Sequence, residues 1–175
     1  MNINEMKIKD VSEETLRKYL KNLDEPKLIL GNNLVATHYQ NGDLIPQAIS
    51  NEQFIEFGKA QIGCYSINDN GNYLYNWYAV NDEKGLAPDG WKIPTDKEWG
   101  KLENQLKENP TYAGYRGNNS GNYYNLGNYG YFWSSTESNS NIAWRRDLDF
   151  NNSDVARNLN TKTHGFSVRC VKEKE

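Results

Sequence analysis

The chain contains few residues able to carry out covalent chemistry. Its histidines are His38 and His164, and its cysteines are Cys64 and Cys170. A histidine-based triad needs a serine or cysteine nucleophile beside the imidazole, and no motif in the sequence supplies one. The four residues also lack the spacing of a zinc site. We therefore expect no catalytic residue, no metal and no cofactor, and we predict that the protein is not an enzyme.

The two cysteines have neither CxxC spacing nor neighbouring histidines. Free buried thiols are the favoured interpretation, and a disulfide between Cys64 and Cys170 stays open because the redox compartment decides between them. Residues 166–171 alternate in character, which places Phe166, Val168 and Cys170 in one row. We predict that this row faces the core.

Carboxylates recur in the asparagine-rich segment near the C-terminus as Asp147, Asp149 and Asp154. Calcium takes about six to eight oxygen ligands from rigidly placed groups. The sequence has no EF-hand loop and no motif of the calcium-dependent lectins, so solvated acids are the preferred interpretation. The glycines of 114–130 likewise lack the pattern of a phosphate-binding loop, and tight turns between tyrosines explain them better.

The same segment alternates between two kinds of residue. Trp144, Arg146 and Leu148 alternate with Arg145 and Asp147, and a strand period of two places the two sets on opposite faces. We predict that the unlike residues of this segment form one exposed recognition surface, consisting of Arg145, Asp147, Asp149, Phe150, Asp154, Ala156, Leu159 and His164. The alternative is that these are ordinary solvated positions on an outer strand face.

Helical patterns precede this strand-rich region. Residues 10–24 carry apolar residues at helical spacing, and capping boxes begin helices at Ser50 and Thr95. Residues 111–129 are predicted to form a long tyrosine-rich loop, and 130–171 to form strands with polar connections. Helices followed by short strands indicate an α+β fold.

Composition restricts the class of partner. The chain has 175 residues, 12 Tyr and 5 Trp, which predicts one domain with an aromatic core. A formal charge of −3 argues against binding to nucleic acid, which proteins contact through a basic surface. The sequence also lacks the basic amphipathic run that is typical of helices lying on a membrane surface. The sequence shows neither a secretory signal nor a membrane-spanning run, so we expect a protein that is cytoplasmic before assembly.

Four segments resemble the Fibrobacter succinogenes major paralogous domain. They are residues 73–81 (YLYNWYAVN), 85–99 (GLAPDGWKIPTDKEW), 130–137 (GYFWSSTE) and 165–171 (GFSVRCV). The resemblance covers roughly residues 28–172. It divides the chain into a helical segment, 1–27, and a ligand-binding domain, 28–175, with a variable region at about 130–171.

This resemblance implies a C-type-lectin-like fold of the formylglycine-generating-enzyme type. The oxidases of that fold use paired cysteines, whereas this chain has only Cys170 in its C-terminal half, so their chemistry does not carry over. The variable region is also similar to those of proteins diversified by retroelements, in which adenines of asparagine codons are rewritten. Each candidate recognition residue can be encoded by a codon rewritten in this way.

The resemblance thus implies a retroelement-diversified protein that recognises a cell-surface protein or glycan. Such a protein would act on a phage particle or at a cell surface. One alternative is an undiversified structural or adhesive member of the same family. Another is an enzyme built on the formylglycine-generating fold, which the missing cysteine pair disfavours.

Overall fold

The structure is a computed structural model, and it describes residues 32–173. The predicted helix at 10–24 and the segment 1–27 lie outside the described residues. The described chain is mixed α/β, with few helices and small antiparallel sheets. The helices are α1 (Asn51–Lys59), α2 (Trp77–Val80) and α3 (Asp96–Glu108). The strands are β1 (Tyr65–Ile67), β2 (Tyr73–Tyr75), β3 (Trp91–Lys92), β4 (Tyr115–Arg116), β5 (Tyr123–Tyr124), β6 (Tyr129–Glu137), β7 (Ile142–Asp149), β8 (Asn152–Thr161) and β9 (Val171–Lys172).

Both predicted capping boxes are confirmed. Ser50 Oγ accepts from the Gln53 backbone N–H, and the Gln53 side chain accepts from the Ser50 backbone at the start of α1. Thr95 and Glu98 exchange the corresponding bonds at the start of α3. Each box satisfies two backbone donors that a helix N-terminus otherwise leaves free, which fixes where each helix begins.

The strands pair antiparallel in four sheets, of which the largest has the order β6-β7-β8. In its register Tyr131 pairs with Asp147 and Asp147 with Ala156, while Leu148 pairs with Val155. Helix α3 packs against all three strands and buries its apolar stripe there. Because paired residues point to the same side, this register assigns every side chain of the sheet to one of two faces.

Aromatic side chains dominate the core, as the composition predicts. Trp133 donates its indole N–H to the Tyr75 carbonyl at 2.8 Å and contacts the Phe166 ring, with 4.4 Å between ring centroids. Phe166, Val168 and Cys170 lie in one buried cluster, which confirms their predicted row. A second cluster joins α3 to the sheet through Trp99, Leu102, Leu106, Phe132, Leu148 and Val171.

Two predictions about burial are wrong in part. The strand phase shared with Leu148 predicts burial of Trp144 and Val155, but both are only half-buried. Val155 packs against the α3 cluster, and the Trp144 ring lies against the Arg157 guanidinium. The expected loop at 111–129 contains β4 and β5, which pair with each other.

Both cysteines are buried free thiols, in agreement with the favoured interpretation.

Candidate ligand-binding face

The side of the β6-β7-β8 sheet that faces away from α3 is called here the front face. It contains three residues of β7, Arg145, Asp147 and Asp149. Their strand partners are Tyr129, Tyr131, Asn152, Ala156, Asn158 and the fully buried Trp133. The neighbouring residues Arg146, Leu148, Val155 and Arg157 point to the back face, toward α3. The predicted alternation along β7 is therefore present.

Arg145 lies on an aromatic floor at the centre of the front face. Its guanidinium carbon is 4.7 Å from the centroid of the Tyr131 ring and 5.0 Å from that of Phe166. The two rings stack on each other with their centroids 5.4 Å apart. A guanidinium over such rings gains a cation–π interaction, so the floor holds the Arg145 side chain in one orientation.

Asp147 pairs with Arg145 on this floor. Arg145 Nη1 lies 2.9 Å from Asp147 Oδ1, and Asn158 donates to Asp147 Oδ2 at 2.6 Å. The two charged side chains are only 14% and 12% exposed. Burial raises the pKa of the Asp147 carboxyl, although Arg145 and Asn158 act in the opposite direction. The pair forms a largely covered base for the surface, with little net charge.

His164 borders the same floor from the segment after β8. Its ring stacks on Phe166 with 5.7 Å between centroids, and Nδ1 lies 2.7 Å from Thr161 Oγ1. Burial lowers the pKa of the imidazole to about 4, and the nearby Arg145 charge acts in the same direction. His164 is therefore neutral at neutral pH and contributes a polar aromatic edge rather than a charge.

Tyrosines extend the front face beyond the aromatic floor. Tyr124 stacks on Tyr115 with 5.2 Å between centroids and is exposed. Tyr129 stacks on Tyr131 and hydrogen-bonds Asp149, whose charge raises the pKa of the Tyr129 hydroxyl. Tyrosines bury a large contact area at a low entropic cost, which makes them suited to recognition surfaces.

Not every predicted recognition residue belongs to the front face. Asp154 and Ala156 are exposed and share its phase, whereas Leu159 pairs with Trp144 on the back face. Phe150 lies in the β7–β8 turn, 64% exposed, with its ring edge against Tyr112. The expectation that all eight residues share one contiguous face is therefore wrong for Leu159 and Phe150.

The Fibrobacter succinogenes major domain family matches the chain over residues 30–113 and 108–172. The matched segments cover most of the chain. The chain belongs to this family. No curated protein and no solved structure gives a significant match.

The back face of this family member carries an ionic cluster that sequence reasoning did not identify. Arg146 donates from Nη1 to Asp96 Oδ1 at 2.7 Å, and Arg157 donates from Nη2 to Asp96 Oδ2 at 2.8 Å. The Arg157 guanidinium carbon is 3.3 Å from the Trp144 ring centroid. Burial disfavours ionisation of Asp96, but these hydrogen bonds outweigh it and hold its pKa below the ordinary value. The cluster ties β7 and β8 to the first turn of α3.

Asn158 and Tyr115 are front-face residues that the sequence prediction missed. Asn158 continues the phase of Ala156, but as an asparagine it does not stand out from the surrounding background. Tyr115 reaches the floor through contacts with Tyr131 and Phe166, which only the tertiary fold brings together. Continuing the alternation past Ala156 would have identified Asn158, whereas no local sequence signal identifies Tyr115.

Between residues 32 and 173, no group of three or more His, Cys, Asp and Glu side chains is placed to hold a metal ion. No helix of that region is both long and apolar enough to cross a membrane.

Proposed function

We propose that this protein is a ligand-binding module in which the front face recognises a protein or glycan partner on a cell surface. The scaffold is proposed to be C-type-lectin-like, of the formylglycine-generating-enzyme type. Its front-face residues are proposed to be diversified by a retroelement. The observation that carries the proposal is the separation of the two faces of β7 and β8.

This separation supports binding because one face stabilises the fold and the other forms a surface. Back-face residues such as Arg146 and Leu148 pack against α3 and hold the strands. The exposed front-face residues Asp154, Ala156 and Asn158 contribute little to the core. Substitutions at surface positions away from special features usually change stability by less than about 0.5 kcal/mol. The front surface can therefore change its chemistry while the fold is retained.

The state of the potential nucleophiles supports binding rather than catalysis. Cys64 and Cys170 are buried, and burial raises the pKa of each thiol to about 12. Both are therefore protonated at neutral pH, whereas the thiolate is the nucleophilic form. His164 Nδ1 is engaged with Thr161, and its ring is stacked in the aromatic floor.

Two matched display libraries test the proposal. One randomises the front positions Asp149, Asp154, Ala156 and Asn158, and the other randomises the back positions Arg146, Leu148, Val155 and Arg157. Each is sorted first for protease resistance and then for binding to lysozyme as a probe protein. We expect the front library to keep most of its members folded and to yield lysozyme binders.

The back library serves as the control because it alters the same two strands. We expect most of its members to lose protease resistance. Equal losses in the two libraries, or a folded front library without any binder, would contradict the proposed role of the front face.

The retroelement part of the proposal has its own test in the genome. Sequencing around the gene should reveal a near-repeat of codons 130–170 beside a reverse-transcriptase gene, with differences at adenines of the repeat. Codons 60–100 are the internal control and should have no such repeat. A gene without the repeat would leave an undiversified binding module.

A further inference from the structure

A second concave region lies outside the front face. Two adjoining hollows, about 470 Å³ and about 290 Å³ in volume, share Gln40, Leu86 and Ala87 as a common wall. The smaller hollow extends along Trp91 of β3 to Asp82 and contains no front-face residue. Small-molecule sites typically have volumes of about 300–1,000 Å³, so the cleft is large enough for a small ligand.

The wall between the hollows is held rigidly. Gln40 donates its side-chain amide to the Ala87 carbonyl at 2.7 Å and its backbone N–H to the Gly85 carbonyl at 2.8 Å. Gly85 has a φ of +78°, and a Cβ there would lie 2.8 Å from Gln40 Oε1. The positive φ favours glycine at this position. The two bonds from Gln40 hold the wall in place.

Trp91 lines the smaller hollow, and its indole N–H is an unused hydrogen-bond donor. Trp77, Trp99 and Trp133 each donate their indole N–H to a backbone carbonyl. Trp91 is half-buried, and its Nε1–H donates to no residue of the described chain while keeping access to solvent. Buried or half-buried indoles usually find an acceptor, so a ligand oxygen would complete this group.

The charges of the cleft restrict the ligand. Lys92 is paired with Glu98, with 2.6 Å between Nζ and Oε1, so its charge is neutralised within the protein. Asp82 and Glu173 also line the smaller hollow, and Asp82 is oriented by a bond from the Lys84 backbone N–H at 3.0 Å. Carboxylates are acceptors only, so they favour hydroxyl donors and repel anions.

We propose that this cleft binds a neutral saccharide. An oxygen of the sugar would accept the Trp91 indole N–H. Hydroxyl groups of the sugar would donate to Asp82 and Glu173. The site is separate from the front face and is independent of the function proposed for that face.

Nuclear magnetic resonance of the tryptophan indole groups tests this site. D-Glucose, D-galactose, D-mannose and N-acetyl-D-glucosamine are titrated separately into the protein labelled with ¹⁵N, and the Trp91 peak is assigned from Trp91→Phe. We expect at least one sugar to shift the Trp91 indole peak in a saturable manner, while the Trp133 indole peak stays in place. Asp82→Asn should lower the affinity of the protein for that sugar by about tenfold, because a hydrogen bond to a charged group is lost.

Controls separate this site from the front face and from misfolding. Asp154→Asn should leave the sugar affinity unchanged, and N-acetylneuraminic acid should produce no shift because it is anionic. Glu173→Gln provides a second variant if Asp82→Asn does not fold. The proposal is overturned if no neutral sugar shifts the Trp91 peak, if the anionic sugar binds equally well, or if the folded carboxylate variants bind as the parent does.

Discussion

Arg145 and Asp147 differ from the other front-face residues because their side chains are largely covered. Their opposite charges lie 2.9 Å apart on the aromatic floor. Replacing one of them leaves the other charged in a poorly solvated place, which costs more than replacing a solvated residue. These two positions therefore depend on each other, whereas exposed residues such as Asp154 vary independently.

A double-mutant cycle on this pair tests their dependence. Arg145→Ala and Asp147→Ala should each lower the free energy of unfolding, and the double variant should lose less than the sum. We expect a coupling of about 0.5–3 kcal/mol, measured by chemical denaturation. A parallel cycle of Arg145→Ala with Asp154→Ala should be nearly additive. Additivity in the first cycle would show that the pair does not act as a unit.

His164 should make the stability of the protein depend on pH. Its pKa is 6.5 in the unfolded chain and about 4 in the folded protein, so between these values only the unfolded chain is protonated. The free energy of unfolding therefore falls as the pH is lowered from 6.5 to about 4, by on the order of 3 kcal/mol. His164→Gln should lose this part of the dependence, and subtraction of the two denaturation series removes the contribution of the carboxylates. Parallel series would contradict the burial of a neutral imidazole.

Helix α3 is the element that holds β7 and β8 in place. Its first turn supplies Asp96 to Arg146 and Arg157, so a shift of this turn would displace both strands. The capping box of Thr95 and Glu98 fixes the position of this turn, and through Asp96 it also helps to fix the strands that carry the front face. The cap, the ionic cluster and the apolar stripe together fix the back of the sheet.

Removal of the α3 cap tests this role. Thr95→Ala should lower the free energy of unfolding by about 0.5–2 kcal/mol, because the Glu98 backbone N–H loses its acceptor. Thr95→Ser keeps the hydroxyl and should retain most of the stability in the same denaturation measurement. Equal losses in the two variants would assign the effect to the threonine methyl group instead.

The capped helices and the alternating strand were predictable because their signals are local. The capping boxes at Ser50 and Thr95 need only four residues each, and the phase of β7 needs only five. Phe150 was chosen for its residue type, although it has the phase of Arg146 and Leu148 and lies in the turn after β7. Leu159 was chosen for its residue type, although its phase matches the back-face residues.

Contacts between distant segments were not predictable from the sequence. The pairing of β4 with β5 places Tyr115 beside Tyr124, and the segment after β8 brings Phe166 beneath Arg145. The ionic cluster likewise joins residues about fifty positions apart, Asp96 and Arg146. Such contacts depend on the tertiary fold, which no pattern of nearby residues specifies.

At the scale of the whole molecule, one side of the sheet packs on α3 and the opposite side is partly exposed. Trp133 shares the phase of its strand partner Arg145 and is fully buried with Phe166, so the aromatic core covers one part of the front side and leaves Asp154, Ala156 and Asn158 exposed. Close-packed interiors transmit strain when a buried volume changes, so substitutions at exposed positions that leave the buried side chains in place disturb the fold little. The front face can therefore be altered as a surface, while the back face behaves as part of the core.

A complete single-substitution scan of residues 142–160, with protease resistance as the measure of folding, tests this separation most directly. We predict that tolerance alternates along the strands. Asp149, Asp154 and Ala156 should accept most residues. Arg145, Asp147 and its donor Asn158 should be intermediate, and Arg146 and Leu148 should accept few. The account is contradicted if tolerance shows no alternation, or if the exposed front positions are as intolerant as the back positions.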